Sequence, residues 1–314
     1  MFTENKHCYD FQENNYSKGL FDDFVDVTYI ITSYDDVSRN KNIQKQLEKL
    51  IPTQKIFFVY NNNYKKCKKN ILEQMPPYDL KDANLNIMNH SIENNFNNIL
   101  ILENDFIYSD IILDSNKNND ITQEIKNFLN DNSNKPIAYN LGPNIYLINP
   151  LMNIFKYQNT FKIILGGGNH AVIYNKKIQL ELIKQPKNII TKQFRDIYKN
   201  MDTYLNLNFD VYFYKKPLIY QIWPETENQD YWTENTIFMN LLSIKKKILN
   251  LDKYPEPGYS INYNIVFFIS YLLFFILFCL VLFIFYYIFR LIIKSLWFNR
   301  FYKFIMKINK NMYF

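Results

Sequence analysis

The stretch ILILENDF, residues 99–106, runs four aliphatic side chains straight into Glu103-Asn104-Asp105. An apolar run with no polar alternation predicts a strand buried on both faces, at the centre of a largely parallel sheet with helices on either side. In such sheets ligands sit outside the carboxyl ends of the strands. Two carboxylates delivered there by a rigid strand can hold a hard divalent cation, and that ion can neutralise a departing diphosphate. The plainer alternative is an acidic turn closing a strand.

The flanking sequence alternates strand-like and helix-like segments. Residues 27–32 (VTYIIT) and 56–60 (IFFVY) have strand composition. Residues 40–50 place Ile43, Leu47 and Leu50 on one helix face, and 82–95 read as a second helix. Further strands are expected at 98–102, 137–141, 170–174 and from 211, with a helix at 176–184. This order predicts one α/β domain. Asn-rich patches at 61–66, 114–120 and 130–135 read as surface loops.

Residues 265–289, IVFFISYLLFFILFCLVLFIFYYIF, contain no charge, Gly or Pro. As a helix this segment is roughly 37 Å long, enough to cross a bilayer core of about 30 Å. Residues 259–314 hold six basic residues and no acidic ones, against 36 basic and 30 acidic residues in the whole chain. Residues 1–258 are therefore neutral, and the charge gives no support to nucleic-acid binding. The tail sets Arg290, Lys294, Arg300 and Lys303 among aromatic residues, as expected of a segment at a lipid headgroup boundary. The expected divisions are a polar N-terminal extension (1–24), the α/β domain (25–242), a linker (243–262), a transmembrane helix (263–289) and a basic amphipathic tail (290–314).

Cys8, Cys67 and Cys279 form no C-x-x-C pair, so a disulfide framework or zinc site is not expected and a reducing compartment is the simpler assumption. The polar N terminus does not read as a signal peptide. These two points favour a cytoplasmic domain, whereas the positive-inside rule would put the basic tail in the cytoplasm and the domain opposite.

The segment around Glu103-Asn104-Asp105 resembles the E-D-D strand end of family-25 glycosyltransferases, the lipopolysaccharide and collagen galactosyltransferases. Five other stretches follow in that family's order: VTYIITSYDDVSRNKNIQKQL (27–47), AYNLG (138–142), GGGNHAVIYNKKIQLELI (166–183), MDTYLN (201–206) and YFYKKPLIYQ (212–221). The resemblance implies a GT-A-like fold, a UDP-sugar donor, Mn²⁺ or another divalent cation, and an inverting transfer of a hexose to a glycan, protein or lipid. It assigns Asp105 and Glu103 to the metal, with Glu103 also near the donor ribose, and puts Arg39 near the nucleotide. Asp79 and Asn84 fall in the region expected to hold uracil and ribose. Asp202 is the expected general base, because direct displacement needs a carboxylate to take the acceptor's proton. The competing reading of Asp202 is a helix cap. His170, after three glycines, is a third metal ligand or a hydrogen-bonded residue of a turn. Asn104 departs from the family's middle Asp, which motivates the competing expectation of an inert protein that keeps the fold. The Asn, Lys and Ile bias and the resemblance together point to a large DNA virus, with a host or virion membrane as the bilayer.

Overall fold

A computed structural model describes residues 5–151, 157–184, 201–221, 244–251 and 255–311. The chain divides into two compact units, Met1–Phe267 and Phe268–Phe314.

The first unit is a mixed α/β domain. Its strands in chain order are β1 (Tyr9–Asn15), β2 (Val27–Thr32), β3 (Lys55–Asn61), β4 (Asn98–Glu103), β5 (Phe106–Tyr108), β6 (Ile137–Asn140), β7 (Asn144–Asn149), β8 (Thr160–Gly167), β9 (Ala171–Asn175), β10 (Asp210–Tyr214) and β11 (Ile219–Gln221). Nine of them form one sheet in the order β1-β3-β2-β4-β9-β6-β10-β8-β7, and β11 pairs with β5 in a separate ribbon. In the large sheet β1, β9 and β8 run against the other six strands. The centre of the sheet is therefore not uniformly parallel, because β9 lies antiparallel between β4 and β6.

Helices of this unit include α1 (Val37–Lys49), α2 (Pro76–Glu93), α3 (Asp110–Leu113), α4 (Ser115–Asp131), α5 (Lys176–Ile183) and α6 (Met201–Asn208), and residues 244–249 form another short one. A further helix, α7 (Gly258–Asn311), starts in this unit and makes up the second. Alternate residues of β4 enter opposite cores. Ile99 and Ile101 pack with Ile87 and Met88 of α2 and Ile178 of α5. Leu100 and Leu102 pack with Ile43 and Leu47 of α1 and Ile125 and Phe128 of α4. Burial on both sides is why this period-two element reads as a continuous apolar run.

Several expectations need correction. The polar opening segment is not all outside the domain, because β1 pairs with β3 from Tyr9↔Asn61 to Asn15↔Lys55 and forms a sheet edge. Polar residues suit an edge strand, since they discourage pairing with other chains. The Asn-rich stretch at 114–120 starts a helix. Asp114 caps α4 by accepting from the Asn116 amide at 3.0 Å, and Ile121, Ile125, Phe128 and Leu129 form its buried face. The helix expected at 82–95 begins at Pro76, a residue suited to a first turn. Residues 258–262, expected within the linker, are already helical, and α7 runs through the expected span and into the basic tail without a break.

The cysteine expectation also fails. Cys8 and Cys67 are joined by a disulfide, with Cα atoms 5.8 Å apart. The β1–β3 pairing brings them together across 59 residues, and the Cys8 carbonyl accepts from the Asn62 amide at 3.0 Å. Spacing alone does not reveal such a pair, because it depends on strand register.

The second unit is helical and highly apolar. Gly258–Phe301 has mean hydropathy 3.1 over its best window and is long and apolar enough to cross a membrane.

Candidate functional site

The carboxyl ends of β2, β4 and β6 lie along one edge of the sheet, and β9, running the other way, starts there. That register gathers four pieces of sequence: the turn into α1 with Arg39, the Glu103-Asn104-Asp105 turn, Asn140–Gly142, and the glycine turn ending at His170. The Glu103 amide donates to the His170 carbonyl at 2.8 Å, which locks two of these pieces together.

The acidic turn is held from α1. Arg39 Nη1 donates to Asn104 Oδ1 at 2.9 Å, and Arg39 Nε pairs with Asp36 at 3.1 Å. Asn42 Nδ2 donates to the Phe106 carbonyl at 3.0 Å. The departure at position 104 therefore falls on a residue that faces Arg39. The amide oxygen keeps a hydrogen bond there and gives up a charge.

Asp105 is nearly sealed from solvent. Its Oδ2 accepts from Gln221 Nε2 at 3.1 Å, whereas Oδ1 is buried with no hydrogen-bond partner among the described residues. Burial pushes the Asp105 carboxyl up to about 6, opposed by the Gln221 hydrogen bond and Arg39. Glu103 is raised well above the usual range by burial, with the charges of Asp105 and Asp202 adding and Arg39 opposing. A buried carboxylate oxygen left without a donor is costly, and like charges held together raise one another's proton affinity.

Asp202 lies in the first turn of α6 and reaches back to the glycine turn. Its two oxygens accept from the Gly168 amide at 2.9 Å and the Asn169 amide at 3.1 Å. Burial raises its proton affinity, and these two amides oppose the shift. Asp202 therefore clamps the loop next to the acidic turn rather than merely closing its own helix. Gly168 has φ +76°, a left-handed conformation that glycine adopts without strain. Gly142 is needed for space, since a Cβ there would lie 1.6 Å from the Ile219 carbonyl oxygen.

His170 Nε2 lies 3.1 Å from the Ile219 carbonyl and must donate to it, which leaves Nδ1 as the acceptor. Among the described residues Nδ1 is buried without a geometrically formed hydrogen bond; burial pushes the imidazole down to about 4, opposed by the Ile219 and Gly168 backbones, so it is neutral. Neutral imidazole fixed through its other nitrogen is the form that binds metals. Even so, Glu103, Asp105 and His170 do not form a closed cage. Among the described residues the trio whose ligand atoms all lie within 4.8 Å of one another is His7, Cys8 and Cys67, and both of its cysteines are in the disulfide.

Asp79 and Asn84 are committed elsewhere. Asp79 pairs with the buried Lys69 at 2.7 Å and accepts from Asn61 at 2.8 Å. Lys69 also donates to Tyr9 at 2.7 Å, and Tyr9 donates to Asp82 at 2.6 Å. The Asn84 amide donates back to the Leu80 carbonyl at 3.0 Å, and its side chain is buried. Asp79 thus helps to fix α2 to β3 and to the loop carrying Lys69, and the Asn84 bond stays within α2. Trp223, Tyr231 and Trp232 offer aromatic faces of the kind that stack on sugar rings, and they lie outside the described residues.

Asn140 had no distinguishing signal in the sequence. Its Nδ2 donates to the Gly168 carbonyl at 3.0 Å and its Oδ1 accepts from the Gly142 amide at 3.0 Å, stapling two loops of the site. One more asparagine in an Asn-rich chain does not stand out. Gln221 was visible as the end of the last family-like stretch, but its bond to Asp105 requires β11 to pair with β5, which periodicity does not reveal.

No protein-family model matches this chain, and no curated protein sequence does so either.

Proposed function

We propose that this chain is a membrane-anchored glycosyltransferase that moves a hexose from a UDP-sugar to a hydroxyl acceptor with the help of a divalent cation. The observation that carries the proposal is Asp105 Oδ1, buried beside Glu103 at the carboxyl edge of the sheet with no hydrogen-bond partner among the described residues. A hard cation suits that oxygen. Two carboxylates with substrate phosphate oxygens are a sufficient ligand set for such an ion, so the missing cage does not count against it. Glu103 and Asp105 would hold the ion, with His170 Nδ1 as an additional donor. When bound, the cation would offset charge on a departing diphosphate.

The remaining roles follow from the hydrogen bonds. Gln221 orients Asp105. Arg39 uses Nη1 and Nε on Asn104 and Asp36, which leaves further N–H donors for a phosphate. Asp202, steadied by two backbone amides and raised in proton affinity, would take the proton of the acceptor hydroxyl.

The apolar part of α7 serves as the anchor. Two features favour placing the domain outside the cytosol, opposite to the orientation suggested by cysteine scarcity. The Cys8–Cys67 disulfide suits an oxidising compartment, and the basic residues after the apolar run suit the cytosolic side.

The test is UDP release by the full-length protein in detergent, with Mn²⁺ and a panel of UDP-hexoses. Release with at least one donor, lost in Asp105→Asn, is expected. No release from any donor would favour the inert reading that Asn104 motivates.

A further inference from the structure

The root of α7 is amphipathic within the domain. Tyr259, Asn262, Tyr263 and Val266 are buried, and the Tyr263 hydroxyl donates to the Pro143 carbonyl at 3.0 Å. Ile261 and Ile265, one turn apart on another face, are 42% and 49% exposed. A second ridge lies close by. Residues 244–249 form a short helix whose Ile244 and Ile248, also one turn apart, are 54% and 74% exposed. Lys245 fixes this helix to the same segment that Tyr263 grips. Its Nζ donates to Asn144 Oδ1 and to the Ile145 carbonyl at 3.3 Å, and lies 4.6 Å from the centre of the Tyr146 ring. The two ridges meet where a Cβ on Gly258 would lie 2.5 Å from the Leu249 carbonyl oxygen.

Residues 244–251, IKKKILNL, carry three lysines and no acid. Aliphatic side chains that face solvent, interleaved with lysines, are the composition of a segment lying at a lipid headgroup boundary. Chain continuity argues for the same occupant, since Ile261 and Ile265 of the first ridge sit on the helix that becomes the apolar span. We propose that the face formed by Ile244, Lys247, Ile248, Ile261 and Ile265 rests in the interfacial layer of the bilayer, so that the domain is held on the membrane by a surface as well as a tether. This rests on reading α7 as a membrane anchor, and it is independent of the transferase chemistry.

The test uses the full chain in nanodiscs of phosphatidylcholine and phosphatidylserine. Single cysteines replace Ile248, Ile265, Val37 or Phe275 in a Cys279→Ser background and carry a nitroxide label. Labelling under non-reducing conditions leaves the Cys8–Cys67 disulfide closed. Collision with oxygen, which concentrates in lipid, is compared with collision with a water-soluble nickel chelate. The Phe275 label reports on the anchor and the Val37 label on open solvent. An oxygen-to-nickel ratio at Ile248 and Ile265 several-fold above that at Val37 is the expected result. A ratio equal to that at Val37, with the Phe275 label in lipid, would overturn the proposal and leave the anchor intact. Shielding of Ile248 from both reagents would mean that protein covers this face, which also overturns it. A Phe275 label in water would defeat the anchor reading itself.

Discussion

The acidic turn couples charge to stability at the level of single residues. Asp105 titrates at about 6 in the folded domain, above its ordinary value of 3.8. A carboxyl raised by folding holds its proton more tightly in the native state. Its contribution is therefore fully present below pH 3.8 and is lost as pH rises through 6. Asp105→Asn removes that loss while keeping an oxygen for Gln221. The metal-free variant is expected to be more stable than the parent above about pH 6, by up to roughly 3 kcal/mol, with the gap closing toward pH 4. Denaturant melts at the two pH values check this, and equal stability at neutral pH would remove the strained-carboxylate description. Glu103, Asp105 and Arg39 were legible because one strand and one helix carry them. Asp202 was legible only as a family-like position. Its clamp on Gly168 and Asn169 crosses more than thirty residues, and no local pattern encodes it.

Legibility at the level of elements followed burial. The strands β2 and β4 are buried on both faces and were bounded to within a residue. Edge strand β1 and helix α4 were missed because asparagine-rich surfaces hide their periodicity in a chain biased toward that residue. The β7–β8 hairpin was missed as well, and bulges in its pairing blur the alternation a strand needs. The Cys8–Cys67 disulfide ties β1 to the loop that carries Lys69, whose side chain is fully buried against Asp79. Closing a loop of 59 residues reduces the entropy of the unfolded chain. Replacing both cysteines with serine is expected to cost about 2–5 kcal/mol. A chemical melt of the double variant that superimposes on the parent would show the disulfide to be dispensable.

For the whole molecule, composition located the apolar span and the neutrality of the preceding 258 residues. The proposed sidedness leans on the basic tail and on the disulfide, a pair that only the strand register brings together. Membrane-impermeant alkylation of intact vesicles from expressing cells, after mild reduction, tests the orientation. In vesicles sealed with the cytosolic face outward, Cys67, the partly exposed partner of the buried Cys8, should react only after permeabilisation when the domain lies outside the cytosol, whereas a cytosolic domain would react without it.

The most direct single measurement is the thermal stability of the full-length protein with UDP, with and without Mn²⁺, beside Asp105→Asn. A ligand at a hundred times its dissociation constant stabilises the native state by about 2.7 kcal/mol. A transferase site predicts a UDP-dependent rise in melting temperature that requires Mn²⁺ and disappears in the variant. No rise at saturating UDP, or a rise of the same size without Mn²⁺ and in Asp105→Asn, would contradict a metal–nucleotide site at Glu103 and Asp105.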